Sequence, residues 1–190
     1  MTWILVVVGS LRSGSVNRRI AQAVQELAPD GIDIEVLQGA EHVPFYNEDL
    51  DVEGAVPAAA ADLRRRIAGA DALLVVTAEH NGSIPAVLKN VIDWGSRPHL
   101  DSPLAGKPAA VIGTAFGQYG GVWAQDETRK SLGVAGAEVV DEVRLALPHS
   151  TTRFAERHPR EDDEVVGAIH DVLASLVRAA ERRTVPAANA

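Results

Sequence analysis

Residues 4–17 read ILVVVGSLRSGSVN, and the character of the chain changes twice within them. Ile4, Leu5, Val6, Val7 and Val8 make a continuous apolar run, β-branched and too short for a helix. Such a run predicts a strand buried on both faces. It breaks at Gly9 into a loop of small hydroxylic residues carrying one arginine. From Val16 the apolar residues take helical spacing, with Val16, Ile20, Ala23, Val24 and Leu27 on one face. A buried strand that feeds a small-residue loop into a helix is the anatomy of an anion site. The first helical turn has unpaired N–H groups and about half a unit of positive charge.

The side chains in this loop suit a phosphate. Ser10, Ser15 and Asn17 can add donors, and Arg12 can bring a fork of N–H groups with a fixed charge. The plainer alternative is a strand–helix turn in which Ser15 is an ordinary N-cap. Ser10 and Ser15 with an arginine and an asparagine, all within eight residues, favour phosphate. The spacings GxGxxG and GxxxxGK[ST] are both absent, which disfavours a dinucleotide fingerprint and a nucleoside triphosphatase loop.

The chain has 190 residues, 46% of them hydrophobic and 23% charged, a globular balance with enough interior for one sizeable core. A formal charge of −8 argues against a nucleic-acid partner, because backbone binding needs a basic footprint. Cysteine is absent, so disulfides, thiolate catalysis and cysteine-held zinc or iron–sulfur centres are excluded. The six histidines show no metal-site spacing, and no metal is expected. No apolar run approaches membrane-spanning length. The expectation is a cytoplasmic protein with no membrane partner.

Beyond the first helix the pattern repeats. Strands are predicted over 31–36, 73–77, 109–114 and 136–143, with helices over 58–68, about 84–92, 122–132 and 162–182. A long connection over 37–57 carries Phe45 and Tyr46 beside Glu48, Asp49 and Asp51, and reads equally as a functional loop or a solvated excursion. Strand alternating with helix predicts a single α/β domain over 1–183, with a parallel sheet between helix layers and a frayed tail over 184–190. In such sheets ligands bind beyond the carboxyl ends of the strands, where the strand order reverses. The flavodoxin-like order 2-1-3-4-5 puts that point between strands 1 and 3. The loops after strands 1, 3 and 4 are residues 10–17, 78–83 and 115–121, the same three whose composition stands out. Together they suggest a phosphate on the first loop and a flat group between the other two.

GSLRSGSVN, AEHNGSIPAVLKNVIDW and GTAFGQYGG together resemble the signatures of the NADPH-dependent FMN reductase family, which includes quinone, azo-dye and chromate reductases. The resemblance spans nearly the whole chain. It implies a flavodoxin-like three-layer sandwich with FMN as cofactor and NADPH or NADH as donor. Ser10, Arg12, Ser15, Val16 and Asn17 would hold the FMN phosphate. Ala78, Glu79, His80 and Asn81 would line the isoalloxazine, with Gly82 allowing close approach. Thr114, Ala115, Phe116, Gly117, Gly120 and Gly121 would lie at its other edge. A homodimer or homotetramer is also implied, with residues 44–51 reaching toward the flavin.

The family usually has Pro-Glu-Tyr-Asn where this chain has Ala78-Glu79-His80-Asn81, and Ala115 stands where related proteins often carry a hydroxyl. The expected reaction is ping-pong hydride transfer from NAD(P)H through FMN to a quinone or similar small acceptor. No catalytic side chain is required for the first half. His80 is either a proton donor to the acceptor or a flat packing residue. The competing class is a non-enzymatic FMN-binding electron carrier or regulatory module on the same fold.

Overall fold

The computed structural model describes residues 1–184. In chain order the elements are β1 (Thr2–Val8), α1 (Val16–Glu26), β2 (Ile32–Val36), α2 (Ala58–Gly69), β3 (Ala72–Thr77) and α3 (Ala86–Gly95). There follow β4 (Pro108–Thr114), α4 (Val122–Val134), the two-residue strands β5 (Glu138–Val139) and β6 (Ala146–Leu147), α5 (Ser150–Arg153) and α6 (Asp163–Thr184). Thr184 is the last residue of α6, and the rest of the tail expected over 184–190 lies outside the described residues.

Every strand pairing is parallel, in the order β2-β1-β3-β4-β5, with β6 also alongside β4. This is the flavodoxin-like α/β architecture that the alternation predicts. The central strands are apolar at every position because helices cover both of their faces. Ile4, Val6, Leu74, Val76, Ala110 and Ile112 face α1 and α6, packing on Ile20, Val24, Val165, Ile169, Val172 and Leu173. Their alternates Leu5, Val7, Leu73, Val75, Ala109 and Val111 face the other layer, meeting Leu63, Ile67, Leu88, Val91 and Leu132. Each such valine, leucine or isoleucine contributes about 1.5–3 kcal/mol by leaving water.

The fifth strand departs from its expected span over 136–143. Glu138 and Val139 pair with Pro108 and Ala109, and only Ala146 and Leu147 resume the ladder, opposite Gly113 and Thr114. Residues 140–145 therefore bulge out opposite 110–112. Asp141, Glu142 and Arg144 explain the break, since three charges cannot lie in a sheet covered on both faces. Val140 and Leu145 stay buried at the two ends of the bulge. The gap is filled from α4. Arg129 donates to the Val111 carbonyl at 2.6 Å and pairs with Asp141 at 3.0 Å, while Gln125 donates to the Leu145 carbonyl at 3.0 Å.

The connection over 37–57 is pinned down rather than loose. The Trp94 indole N–H donates to the Pro44 carbonyl at 2.7 Å, and Asn90 donates to the carbonyls of Val43 and Pro44, each at 3.1 Å. Tyr46 meets the edge of Trp94, and Arg64 grips Asp51 through two hydrogen bonds of 2.7 Å. Single 3₁₀ turns at Ala40–His42 and Glu48–Leu50 complete it. Arg64 holds the Asp51 carboxyl below its usual range, so Asp51 serves packing and not acid–base chemistry.

Candidate functional site

The loops after β1, β3 and β4 meet at the carboxyl end of the sheet. Ser10, Arg12, Ser15, Val16 and Asn17 from the first share one cavity with Ala78, Glu79 and His80 from the second. Thr114, Ala115 and Phe116 from the third complete that set, in a space of about 160 Å³. A complete small-molecule pocket takes roughly 300–1,000 Å³, so this cavity can enclose one end of a ligand and leave the remainder on an open face. A larger groove, about 630 Å³, runs between α3 and α4 past Lys89, Ile92, Leu100 and Val134. The smaller cavity is the chemically equipped one.

Its equipment is a set of donors with nothing to donate to. Ser10 and Ser15 are buried, and neither hydroxyl has a protein partner among the described residues. Ser15 occupies the cap position of α1 yet makes no side-chain cap bond, so the plain N-cap alternative does not hold. Arg12 stands exposed without a carboxylate or carbonyl partner among the described residues. Unpaired N–H groups of the first turn of α1 add to these donors. In a chain of net charge −8, an unopposed guanidinium over a helix N-terminus is a local anion site.

Asn17 does two jobs. Its side-chain oxygen accepts from the Thr114 backbone N–H at 3.1 Å and from the Thr114 hydroxyl at 3.3 Å, fastening the third loop to the first. Its amide nitrogen makes no protein hydrogen bond and remains a donor.

The second loop is a tight hairpin. Asn81 and Gly82 have φ of 53° and 71°, and His80 and Ser83 exchange backbone hydrogen bonds of 3.1 and 3.0 Å. This is a two-residue turn with positive φ at both centres, for which Asn-Gly is the preferred pair. These two residues therefore shape the loop and do not line the cavity. Trp123 lies against Gly82, on the side where a Cβ would point. Glu79 accepts from the Ala124 N–H at 3.1 Å and so caps the first turn of α4, and Ser83 donates to Glu127 at 2.6 Å. Glu79 thus fixes the loop to α4 with one carboxylate oxygen. His80 is exposed at the rim.

Gly117, Gly120 and Gly121 are also outside the cavity lining. A Cβ on Gly120 would sit 2.7 Å from the Ala146 carbonyl carbon, so this glycine lets the third loop lie against β6. Gly121 is the N-cap of α4. Residues 44–51 do not line the cavity within one chain.

Two lining residues escape the sequence reading, Ser150 and Thr151. They sit just beyond β6, at the carboxyl end of the true fifth strand. With that strand expected over 136–143, the hydroxyl run His149-Ser150-Thr151-Thr152 falls outside any strand-end loop. Its composition, read at the correct strand end, is the signal that would have found it. Among the described residues no cluster of three or more His, Asp or Glu side chains is placed to hold a metal ion.

The model of the family described as NADPH-dependent FMN reductase matches residues 2–152. The chain belongs to that family. A quinone reductase of Pseudomonas putida is 46% identical over 129 residues, 68% of each chain. An NAD(P)H-dependent FMN reductase of Pseudomonas aeruginosa is 37% identical over 173 residues, 91% of this chain and 92% of that one. Among solved structures, the flavoenzyme NAD(P)H:(acceptor) oxidoreductase of Paracoccus denitrificans superposes with a TM-score of 0.83 at 30% identity, covering 96% of this chain and 98% of its own. Membership makes the protein an oxidoreductase that uses FMN and NAD(P)H. No described helix is long and apolar enough to cross a membrane.

Proposed function

We propose that this FMN reductase family member transfers hydride from NAD(P)H to a quinone or similar small acceptor, the two substrates taking turns at one open face in a ping-pong cycle. The observation that carries the proposal is the pair of serines, Ser10 and Ser15, whose hydroxyls line the cavity without protein partners beside an unpaired Arg12 at the start of α1. Those donors fit the phosphate of FMN, and the cavity is too small for a whole flavin. The ring is then left on the open side, between residues 78–80 and 114–116, where a substrate can reach it. The quinone reductase of Pseudomonas putida supports the acceptor class.

When bound, FMN supplies the redox chemistry, accepting two electrons with a hydride and passing them on. The chain binds, orients and polarises. Backbone N–H groups of the second and third loops can face negative charge that develops on the ring. His80, exposed at the rim, can hand a proton to a reduced acceptor, as can water. A need for NAD(P)H supports a cytoplasmic location.

We also infer a homo-oligomer. Phe116, Tyr119, Trp123 and Val134 lie on α4 or the loop before it, all exposed, and Leu100 is exposed on the far side of the groove. Exposed apolar side chains gathered on one side of a domain favour burial against another copy. A neighbouring copy is also the route by which residues 44–51 would approach a flavin.

Anaerobic titration of the FMN-loaded protein with NADPH, then NADH, tests the activity. The expected outcome is rapid bleaching of the flavin band, restored by adding benzoquinone. Binding of FMN with no bleaching by either donor would replace the reductase with an electron carrier or regulatory module.

A further inference from the structure

The cavity has a fourth wall. Residues 149–151 follow β6 and turn back over the third loop, where the His149 N–H donates to the Gly117 carbonyl at 3.2 Å and the Ser150 N–H to that of Ala115 at 3.1 Å. His149 holds φ of 49°, a left-handed conformation that turns the chain into α5. Ser150 is 4% exposed and lines the same cavity as Ser10, Arg12 and Ser15. Its hydroxyl has no protein hydrogen bond among the described residues. Ser150 is not acting as a helix cap either, since the cap position of α5 is His149.

Its oxygen opens into the cavity, where a ligand can accept the hydrogen bond that the protein leaves unmade. Ser10, Arg12 and Ser15 in the same cavity are also donors without side-chain partners, which points to an acceptor with several lone pairs. Ala115 lies beside it in the lining with only a methyl group to offer, and its carbonyl accepts from the Ser150 N–H.

We propose that Ser150 donates to the phosphate end of the flavin and supplies from the fifth strand the hydroxyl that Ala115 lacks, with Thr151 at the rim of the same wall. This rests on the FMN reading above.

The wall is held from behind. Arg19 of α1 donates to the carbonyls of Phe154 and Arg157 at 2.8 and 2.6 Å. Arg153 forks onto the buried Asp162 at 2.9 and 2.7 Å, and Arg157 reaches the same carboxylate. The helix that carries the phosphate loop therefore also anchors the segment that carries Ser150. A hydroxyl fixed in this way meets its ligand with little ordering cost.

The test compares FMN with riboflavin, which lacks the phosphate, by fluorescence titration of the parent, Ser150→Ala and the double variant Ala115→Ser/Ser150→Ala. The dissociation constant for FMN should rise about tenfold or more in Ser150→Ala, as expected for one hydrogen bond to a charged group. Riboflavin affinity should stay unchanged, and the double variant should recover FMN affinity. Equal FMN affinity in parent and Ser150→Ala overturns the proposal, as does an equal weakening for riboflavin. A double variant as weak as Ser150→Ala removes the compensation between positions 115 and 150. A parent that binds no FMN would instead overturn the cofactor reading, a result distinct from the others.

Discussion

Arg12 brings a full charge to the cavity and meets no counter-charge there, because the one lining carboxylate, Glu79, is turned to the Ala124 N–H. An anion must supply what the protein does not. Arg12→Ala should weaken FMN binding by about 1.5–3 kcal/mol, the value of a charge-assisted hydrogen bond, as read from fluorescence titration. Its effect on unfolding should be small, since Arg12 is exposed and bonds to nothing else. At this scale the sequence was legible wherever chemistry is local. Residues 10–17 read as an anion loop because the strand, the loop and the helix start are contiguous. Asn81 and Gly82 form the turn of the second loop, which composition alone does not reveal. Ser150 could not be placed, because it reaches residues 10–15 only through the complete sheet.

Among the elements, the interrupted fifth strand has the most to teach. A helix side chain, Arg129, takes over where the strand leaves off, bonding the Val111 carbonyl and facing Asp141. Replacing it leaves a buried carbonyl unpaired and frees the bulge. Arg129→Met should cost about 2–4 kcal/mol, seen as a lower urea midpoint at unchanged slope. The regular elements were readable because apolar periodicity is short-ranged, and the spans of β3 and α1 follow it closely. Periodicity gave no warning at 140–145. There an apolar pattern continues through Val140, Val143 and Leu145, and only the charges between them, set against helices on both faces, expel the chain.

For the whole molecule, two buried ions make stability rise with pH in two separate windows. Hydrogen bonds from Arg153, then Arg157, hold the Asp162 carboxyl down to about 2, against 3.8 for a free aspartate. The unfolded chain therefore takes up the proton first, and stability worth about 2 kcal/mol is lost as pH falls from about 4 to 2. Lys107 acts in the same sense at the alkaline end. Burial, with Arg183 nearby, lowers its ammonium to about 8 from 10.5, although Nζ donates to the carbonyls of Ala68 and Ala70. Between those values the folded chain holds fewer protons than the unfolded one. Stability should rise by about 3 kcal/mol from pH 8 to 10.5. Chemical denaturation across that range should show the rise in the parent, and Lys107→Met should abolish it.

The strand order also dictates when the molecule can first hold together. β1 precedes every other described element in the chain, yet it lies inside the sheet between β2 and β3. One neighbour arrives within thirty or so residues; the other begins at Ala72. The face of β3 and β4 that carries Leu74, Val76, Ala110 and Ile112 waits longer still, because α6, which packs over it, begins only at Asp163. Until α6 is made, those two strands keep part of one face open to water. Long-range parallel pairings of this kind are slow to form and prone to association while they wait. A nascent chain stalled before residue 163 is therefore an aggregation hazard, and the sticky surface is the uncovered face of β3 and β4.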